Sequence, residues 1–170
     1  MKIIKGMGVD LKLFSYSKIN NKIPVVIMAS RIIADKGVYE FIEAIKYIKK
    51  LNFKAKFYLA GNLDYDNPSF ISKYKIKEWE RKKLIKFLNY KKNIYKIIKK
   101  SSIVVLPSYR EGFPKILIEA AACGRPVVTT NVPGCRDAII NGSTGILVPA
   151  KNSKKLAEAI IKLWDRKSTR

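Results

Sequence analysis

Residues 103–130 read IVVLPSYREGFPKILIEAAACGRPVVTT, and this stretch decides the fold. Ile103–Leu106 is an unbroken apolar run that ends at Pro107, which predicts a buried strand. An apolar helix is predicted at Ile116–Cys123, and another strand at Pro126–Thr130. Strands that alternate with helices in this way lie parallel in one sheet.

The same alternation continues on both sides of this stretch. Further strands are predicted at Ile23–Ser30, Ala55–Ala60, Leu84–Leu88 and Ile146–Val148. Further helices are predicted at Gly37–Leu51, at Ser69–Lys82 (charged and exposed), at Asn93–Lys99, and from a capping residue Ser153 to Trp164. The expected fold is α/β, a Rossmann-like three-layer α/β/α arrangement with a six-stranded, mostly parallel sheet. Ligands of such sheets bind outside the carboxyl ends of the strands.

Length and composition indicate one globular domain without a membrane span. The chain has 170 residues, and its apolar runs are shorter than the roughly 18–20 residues that cross a bilayer. The first residues do not have the pattern of a signal peptide, and Cys123 and Cys135 are expected to be reduced thiols. The chain contains no histidine, so an imidazole base must come from another chain or domain. These features predict a cytoplasmic protein.

The net charge of +22 leaves three explanations open. Lysines accumulated on solvated helix faces would have no functional meaning. A positive field also attracts an anionic membrane surface, which would place the protein peripherally at the inner membrane face. Specific nucleic-acid binding is the third explanation, but no aromatic-interleaved basic motif, helix-turn-helix or zinc-finger pattern supports it. No specific nucleic-acid partner is predicted.

Two cations lie close to the end of the first predicted strand. Arg31 follows the strand directly, and Lys36 precedes the next helix. A helix N-terminus between two cations suits a pyrophosphate, because the free N–H groups and the positive end of the dipole add to the two charges. Since lysine is abundant throughout the chain, solvated surface charge is the alternative.

Two glutamates mark the segment after the fourth predicted strand. Glu111 lies in a turn with Gly112, and Glu119 lies eight residues later among the apolar residues of the helix. A buried carboxylate needs partners, and its oxygens can accept hydrogen bonds from vicinal sugar hydroxyls. The structural alternative is an ion pair between Glu119 and a nearby lysine or arginine, such as Arg125.

The two clusters together resemble one family, the retaining glycosyltransferases of family 4, which have the two-domain GT-B fold. The chain is similar to their C-terminal, donor-binding domain over nearly its whole length. The matching segments are GMGVDLKLF at Gly6–Phe14, SRIIADKG at Ser30–Gly37, YLAG at Tyr58–Gly61, the segment Val104–Val128 that contains both glutamates, and VPGCRDAIINGSTGILVP at Val132–Pro149. The wording EGFPKILIEAAACGRPVV with PGCRD resembles enzymes that extend bacterial surface polysaccharides, such as capsule or lipopolysaccharide, on lipid carriers.

The resemblance implies roles for the charged residues. Arg31 and Lys36 correspond to residues that bind the donor's phosphates. Glu111 corresponds to the glutamate that contacts the transferred sugar, and Glu119 to the one that binds the ribose hydroxyls. The implied donor is a UDP-sugar, with a GDP-sugar as the alternative. No metal site and no cofactor other than the donor are implied.

The resemblance also implies backbone and base contacts. The N–H groups of Gly112, Phe113 and Lys115 would face the sugar and the phosphates. The base would stack around Leu88, Asn89 and Tyr90, although relatives usually have glycine where Asn89 stands. Many relatives also have glycine in place of Pro114, which has no N–H to offer.

The resemblance further implies that a second domain takes part. Residues 1–20 correspond to the interdomain linker and residues 21–170 to the donor domain, so an N-terminal acceptor domain would act in cis or as a separate chain. We expect the isolated chain to bind a nucleotide but to be nearly inactive in transfer. A non-catalytic subunit of a split enzyme remains an alternative, which exposed apolar side chains at Val9, Leu11 and Phe14 would favour. A basic phosphate- or nucleic-acid-binding domain of Rossmann type is the other.

Overall fold

The computed structural model describes residues 8–90 and 92–168, with side chains as far as Asp165. Its strands are β1 (Val25–Ala29), β2 (Lys56–Gly61), β3 (Lys86–Asn89), β4 (Ile103–Leu106), β5 (Val127–Thr130) and β6 (Gly145–Val148). Its helices are α1 (Val38–Lys50), α2 (Lys73–Arg81), α3 (Ile94–Lys100), α4 (Lys115–Ala122), α5 (Pro133–Ala138) and α6 (Ser153–Ser168), and a single 3-10 turn covers Ala34–Lys36.

The six strands form one sheet in the order β3-β2-β1-β4-β5-β6. Every neighbouring pair is parallel, so the sheet is wholly rather than mostly parallel. The order reverses direction between β1 and β4, where Ile27 is in register with Val104. At such a point the loops that leave the two strands diverge to opposite faces, which opens a crevice at their carboxyl ends. The predicted Rossmann-like α/β class is confirmed.

Side chains that alternate along the central strands build two apolar layers. Val26 and Met28 of β1 point into a core shared with α1, α2 and α6, while Ile27 points into a core shared with α3, α4 and α5. The helices therefore cover both faces of the sheet, as the three-layer prediction requires. Cys123 and Cys135 are both buried in the second layer, where burial raises the pKa of each thiol. Among the described helices, none is both long and apolar enough to cross a membrane.

Helix α2 differs from the helix predicted at Ser69–Lys82. It begins at Lys73, because Ser72 caps it by accepting a hydrogen bond from the N–H of Lys75. It is not wholly exposed either, since Ile76 and Trp79 are buried beneath it. Helix α2 contains more cationic residues than buried apolar ones, so its sequence did not predict a buried face.

Two further boundaries were wrong in the prediction. The cap of α6 is Asn152 rather than Ser153, because Asn152 Oδ1 accepts the N–H of Lys155 at 2.9 Å. The helix ends at Ser168 rather than at Trp164.

Helix α5 was not predicted at all. It starts on Pro133, which suits the first helical position because no N–H is needed there.

The segment that precedes β1 is partly anchored to the domain. Of the linker predicted at 1–20, residues 1–7 lie outside the described part of the chain. Exposed apolar side chains in this segment would favour the alternative of a separate subunit. Phe14 is buried and Val9 packs against the second layer, whereas Leu11 is 67% exposed.

Gly37 allows the loop after β1 to touch the loop after β4. Its φ is +77°, and a Cβ atom there would lie 2.1 Å from the carbonyl oxygen of Pro107. Two backbones can approach this closely only where a residue has no side chain. The adjacent bond from the N–H of Tyr109 to the oxygen of Asp35, at 2.9 Å, holds the same two loops together.

We predict that Gly37→Ala destabilises the chain by about 2–4 kcal/mol, since it adds a backbone clash to left-handed strain. Gly142→Ala is the matched control. Gly142 has a φ of +82° but nothing within 4 Å of the added Cβ. It should cost only about 1 kcal/mol. Urea unfolding measures both, and equal losses would contradict the close approach of the two loops.

Candidate functional site

A cavity of about 450 Å³ opens at the carboxyl ends of β1, β2 and β3, beside the start of α4. It lies at the crevice that the reversal of strand order creates. Its polar walls come from four separate segments. Its polar side chains include those of Arg31, Asn62, Tyr90, Lys92, Lys115 and Glu119.

Glu119 lies in the wall of this cavity on the second turn of α4, and only 7% of its surface is exposed. The ion pair that reaches it, from Lys115 Nζ, is 3.7 Å long, which is beyond hydrogen-bonding distance. The predicted alternative partner, Arg125, instead donates to the carbonyl oxygens of Ser17 and Lys99. The carboxylate therefore keeps its capacity to accept hydrogen bonds from a ligand.

Burial raises the pKa of Glu119, and the nearby Lys115 ammonium offsets part of that rise. Its ionised form is thus less stable in the folded chain than in water. A ligand that donates hydroxyl hydrogens to this carboxylate would replace the water that burial removes.

Arg31 also lines the cavity, but its side chain is 59% exposed and bonded to Asp64 at 3.0 Å. An exposed pair of this kind contributes about 0–1 kcal/mol. The guanidinium can therefore leave Asp64 for a phosphate at little cost, since a bidentate bond to phosphate is stronger.

Lys36 and Glu111 meet directly, so the two clusters identified in the sequence are in contact. Lys36 Nζ lies 2.7 Å from Glu111 Oε1, and Ser108 Oγ donates to the same oxygen at 2.7 Å. Both side chains are mostly buried, at 17% and 12% exposure. Among the described contacts Oε2 receives no hydrogen bond, so Glu111 has one oxygen in use and one to spare. Ser108 was not among the predicted site residues, although it follows β4 by only two residues.

The start of α4 presents free backbone donors. Pro114 is its N-cap residue and makes no side-chain cap. In the described structure the N–H groups of Gly112, Phe113 and Lys115 have no backbone acceptor. Such unpaired N–H groups, together with the helix dipole, favour an anion.

Gly134 supports this segment from behind. A Cβ at Gly134 would lie 1.8 Å from the carbonyl oxygen of Gly112 and 2.6 Å from that of Glu111. Thr130 Oγ1 donates to the carbonyl oxygen of Ser108 on the same side. The turn that carries Glu111 therefore rests on β5 and the start of α5. The dipeptide Pro133–Gly134 was quoted only as part of the family resemblance and was not predicted to support this turn.

Of the three residues predicted near the base, one lines the cavity. Tyr90 lines the cavity and is 61% exposed. Leu88 packs against the second apolar layer, and Asn89 is exposed at the end of β3, so neither lines the cavity. Lys92 lies in the wall beside Tyr90 and was not predicted, because lysine is too common here to stand out.

No group of carboxylate, cysteine or histidine side chains that could hold a metal ion occurs within residues 8–90 and 92–168.

Comparison with known proteins identifies the family. The family model described as glycosyl transferases group 1 matches residues 11–170. The chain is 34% identical over 181 residues to N,N'-diacetylbacillosaminyl-diphospho-undecaprenol alpha-1,3-N-acetylgalactosaminyltransferase of Campylobacter jejuni, covering 99% of this chain and 46% of that protein. It is 35% identical over 156 residues to the capsular polysaccharide biosynthesis glycosyltransferase CapM of Staphylococcus aureus, covering 91% and 40%. The chain thus spans less than half the length of these relatives.

Solved structures agree on the architecture. Sucrose-phosphate synthase from Thermosynechococcus elongatus superposes with a TM-score of 0.81 at 25% identity, over 95% of this chain and 43% of that one. The Anabaena protein HepE, solved in complex with UDP, gives a TM-score of 0.80 at 22% identity, over 94% and 47%. Both likenesses extend over nearly all of this chain and under half of the other protein. The chain belongs to the glycosyl transferases group 1 family, and its fold is one half of a GT-B glycosyltransferase.

Proposed function

We propose that this chain binds the donor of a retaining glycosyltransferase, a UDP-linked hexose or N-acetylhexosamine, in the cavity beside α4. The acceptor is a polysaccharide or a lipid-linked glycan. Glu119 carries the proposal, because it is a nearly buried carboxylate with open acceptor capacity in the wall of a cavity of nucleotide size. The C. jejuni relative is named as an N-acetylgalactosaminyltransferase and the S. aureus relative as a capsular enzyme, which supports the classes of donor and acceptor.

The proposed donor lies along the cavity from its base to its diphosphate. Glu119 accepts from the ribose hydroxyls, with the base toward Tyr90 and Lys92 on one side. The diphosphate lies toward Arg31 and the free N–H groups at the start of α4. A UDP donor agrees with HepE, which was solved with UDP bound. A GDP-sugar is the alternative donor.

The sugar lies at the Lys36–Glu111 pair. Glu111 Oε1 is held by Lys36 and Ser108, which leaves Oε2 for a sugar hydroxyl. Lys36 has two further N–H donors for the diphosphate. Transfer breaks the bond between sugar C1 and the diphosphate oxygen and forms one from C1 to an acceptor hydroxyl oxygen on the same face, while the proton of that hydroxyl passes to the leaving diphosphate. The cations and the helix dipole stabilise the leaving diphosphate without a metal or another cofactor.

We predict that Glu119→Ala weakens UDP binding by about 10- to 100-fold, the loss expected for hydrogen bonds to a charged group. Calorimetry with UDP, GDP and their sugars measures the effect and ranks the two bases. Glu43→Ala is the matched control, because Glu43 is exposed on α1, pairs with Lys46 and lies outside the cavity.

Two results would contradict this placement of the donor. One is UDP affinity that Glu119→Ala leaves unchanged. The other is salt-sensitive DNA binding that UDP does not displace in either variant, which would favour the basic nucleic-acid domain instead.

Glu119→Gln should stabilise the ligand-free chain while weakening UDP binding. Because the folded pKa is raised, the carboxyl contributes stability below its unfolded pKa of about 4.3 and loses it as the pH rises through the folded pKa. The melting temperature of Glu119→Gln relative to wild type should therefore increase from about pH 4 to about pH 7. A difference that stays flat across this range would show that the ionised carboxylate is not destabilised.

The chain alone should bind UDP yet transfer almost no sugar, since it spans under half of its relatives and the acceptor side of a GT-B site lies on the other domain. Adding the N-terminal half of a relative, in cis or as a second chain, should restore turnover with the anomeric configuration retained. Radiolabelled transfer and product NMR measure this. Rapid transfer by the chain alone would refute it, and binding without transfer in any pairing would favour a non-catalytic subunit.

A further inference from the structure

A second cavity, of about 410 Å³, lies at the other end of the sheet from the donor cavity. Val25 and Lys56, which begin β1 and β2, are part of its lining, so it opens at the amino ends of the strands. The proposed donor function makes no use of it.

Among the described residues, this amino-end pocket is lined by four lysines and by no carboxylate. They are Lys18, Lys56, Lys99 and Lys100. None of the four takes part in an ion pair with another described residue. Lys99 Nζ donates to Ser15 Oγ at 2.8 Å and lies 5.8 Å from the centre of the Tyr95 ring. The like charges of Lys18, Lys56 and Lys100 repel one another, and an anion in the pocket would offset that repulsion.

The wall of the pocket is built by specific hydrogen bonds. The side-chain amide of Asn21 donates to the carbonyl oxygen of Lys100 and to Ser102 Oγ, both at 3.0 Å. Ser102 Oγ in turn accepts the N–H of Val25 at 3.1 Å. Ser17 Oγ donates to the carbonyl oxygen of Lys99 at 3.3 Å. The segment that carries Lys18 is therefore fixed against the end of α3.

Arg125 adds a buried cation next to this wall. Only 2% of its surface is exposed, and Nη2 donates to the carbonyl oxygens of Ser17 at 2.6 Å and Lys99 at 2.8 Å. Its Nε and Nη1 are buried without a hydrogen-bond partner in the described chain. The last carbonyl groups of α3 would otherwise repel an anion, but Arg125 and Asn21 already occupy them.

We propose that the amino-end pocket binds a phosphate-bearing anion, at a site separate from the donor cavity. Asn20 supplies an amide group and the lysines supply the charge, while Ile19, Tyr58 and Ile97 give the pocket an apolar side. That combination suits a phosphate attached to an apolar body. The headgroup of an anionic lipid and a soluble phosphate compound share this chemistry.

The test uses two double variants that lower the net charge equally. Lys18→Gln/Lys56→Gln removes two pocket lysines. Lys73→Gln/Lys77→Gln removes two exposed lysines of α2 that line neither cavity. Calorimetric titration with inorganic pyrophosphate should show at least about tenfold weaker binding for the pocket variant and less than about twofold change for the control. Melting temperatures confirm that both variants fold.

Equal losses in the two variants would reduce the effect to net charge and overturn the proposal. Unchanged affinity in both would overturn it too, because pyrophosphate would then bind only elsewhere, as at the donor cavity.

Sedimentation with vesicles of phosphatidylcholine and phosphatidylglycerol separates the two sources. If the pocket variant alone loses vesicle binding and pyrophosphate displaces the wild-type chain, the ligand is a lipid headgroup. If vesicles bind both variants equally while pyrophosphate discriminates between them, the ligand is soluble.

Discussion

The shape of the donor cavity depends on the contact between the loops that leave β1 and β4. These strands are neighbours in the sheet, but their chains depart toward opposite faces, and the crevice exists because of that divergence. Gly37 lets the two loops touch, and the ion pair between Lys36 and Glu111 joins them at 2.7 Å. Everything assigned to the donor cavity depends on this junction holding its geometry without a ligand.

The two glutamates differ in how far the protein itself satisfies their carboxylates. Glu111 is satisfied in part by Lys36 and Ser108, so it is held in place before any sugar arrives. Glu119 is buried with little compensation, so it is costly until a ligand donates to it. One carboxylate is positioned by the protein, while the other is arranged to be completed by the substrate. The same motif thus contains one carboxylate that the protein holds in place and one whose burial costs free energy until a ligand binds.

Much of this architecture could be predicted from the sequence, because buried parallel strands appear as unbroken apolar runs. The bounds of β4 were predicted residue for residue, and Glu111 and Glu119 were correctly placed in the turn and the helix that follow it. The errors came where tertiary contacts decide. Helix α2 was predicted to be exposed, but its Ile76 and Trp79 are buried in the first apolar layer. Gly134 matters only through a neighbouring loop, which no local pattern could reveal.

The two cysteines give the second apolar layer a property unrelated to nucleotide chemistry. Cys123 lies at the end of α4 and Cys135 within α5, both fully covered, and burial disfavours their reactive thiolate forms. A thiol reagent in solution can therefore reach them only when this layer opens. Helix α4 carries Glu119, and α5 supports the turn of Glu111. The rate at which a reagent labels these thiols would therefore report local unfolding of the helices beside the donor cavity.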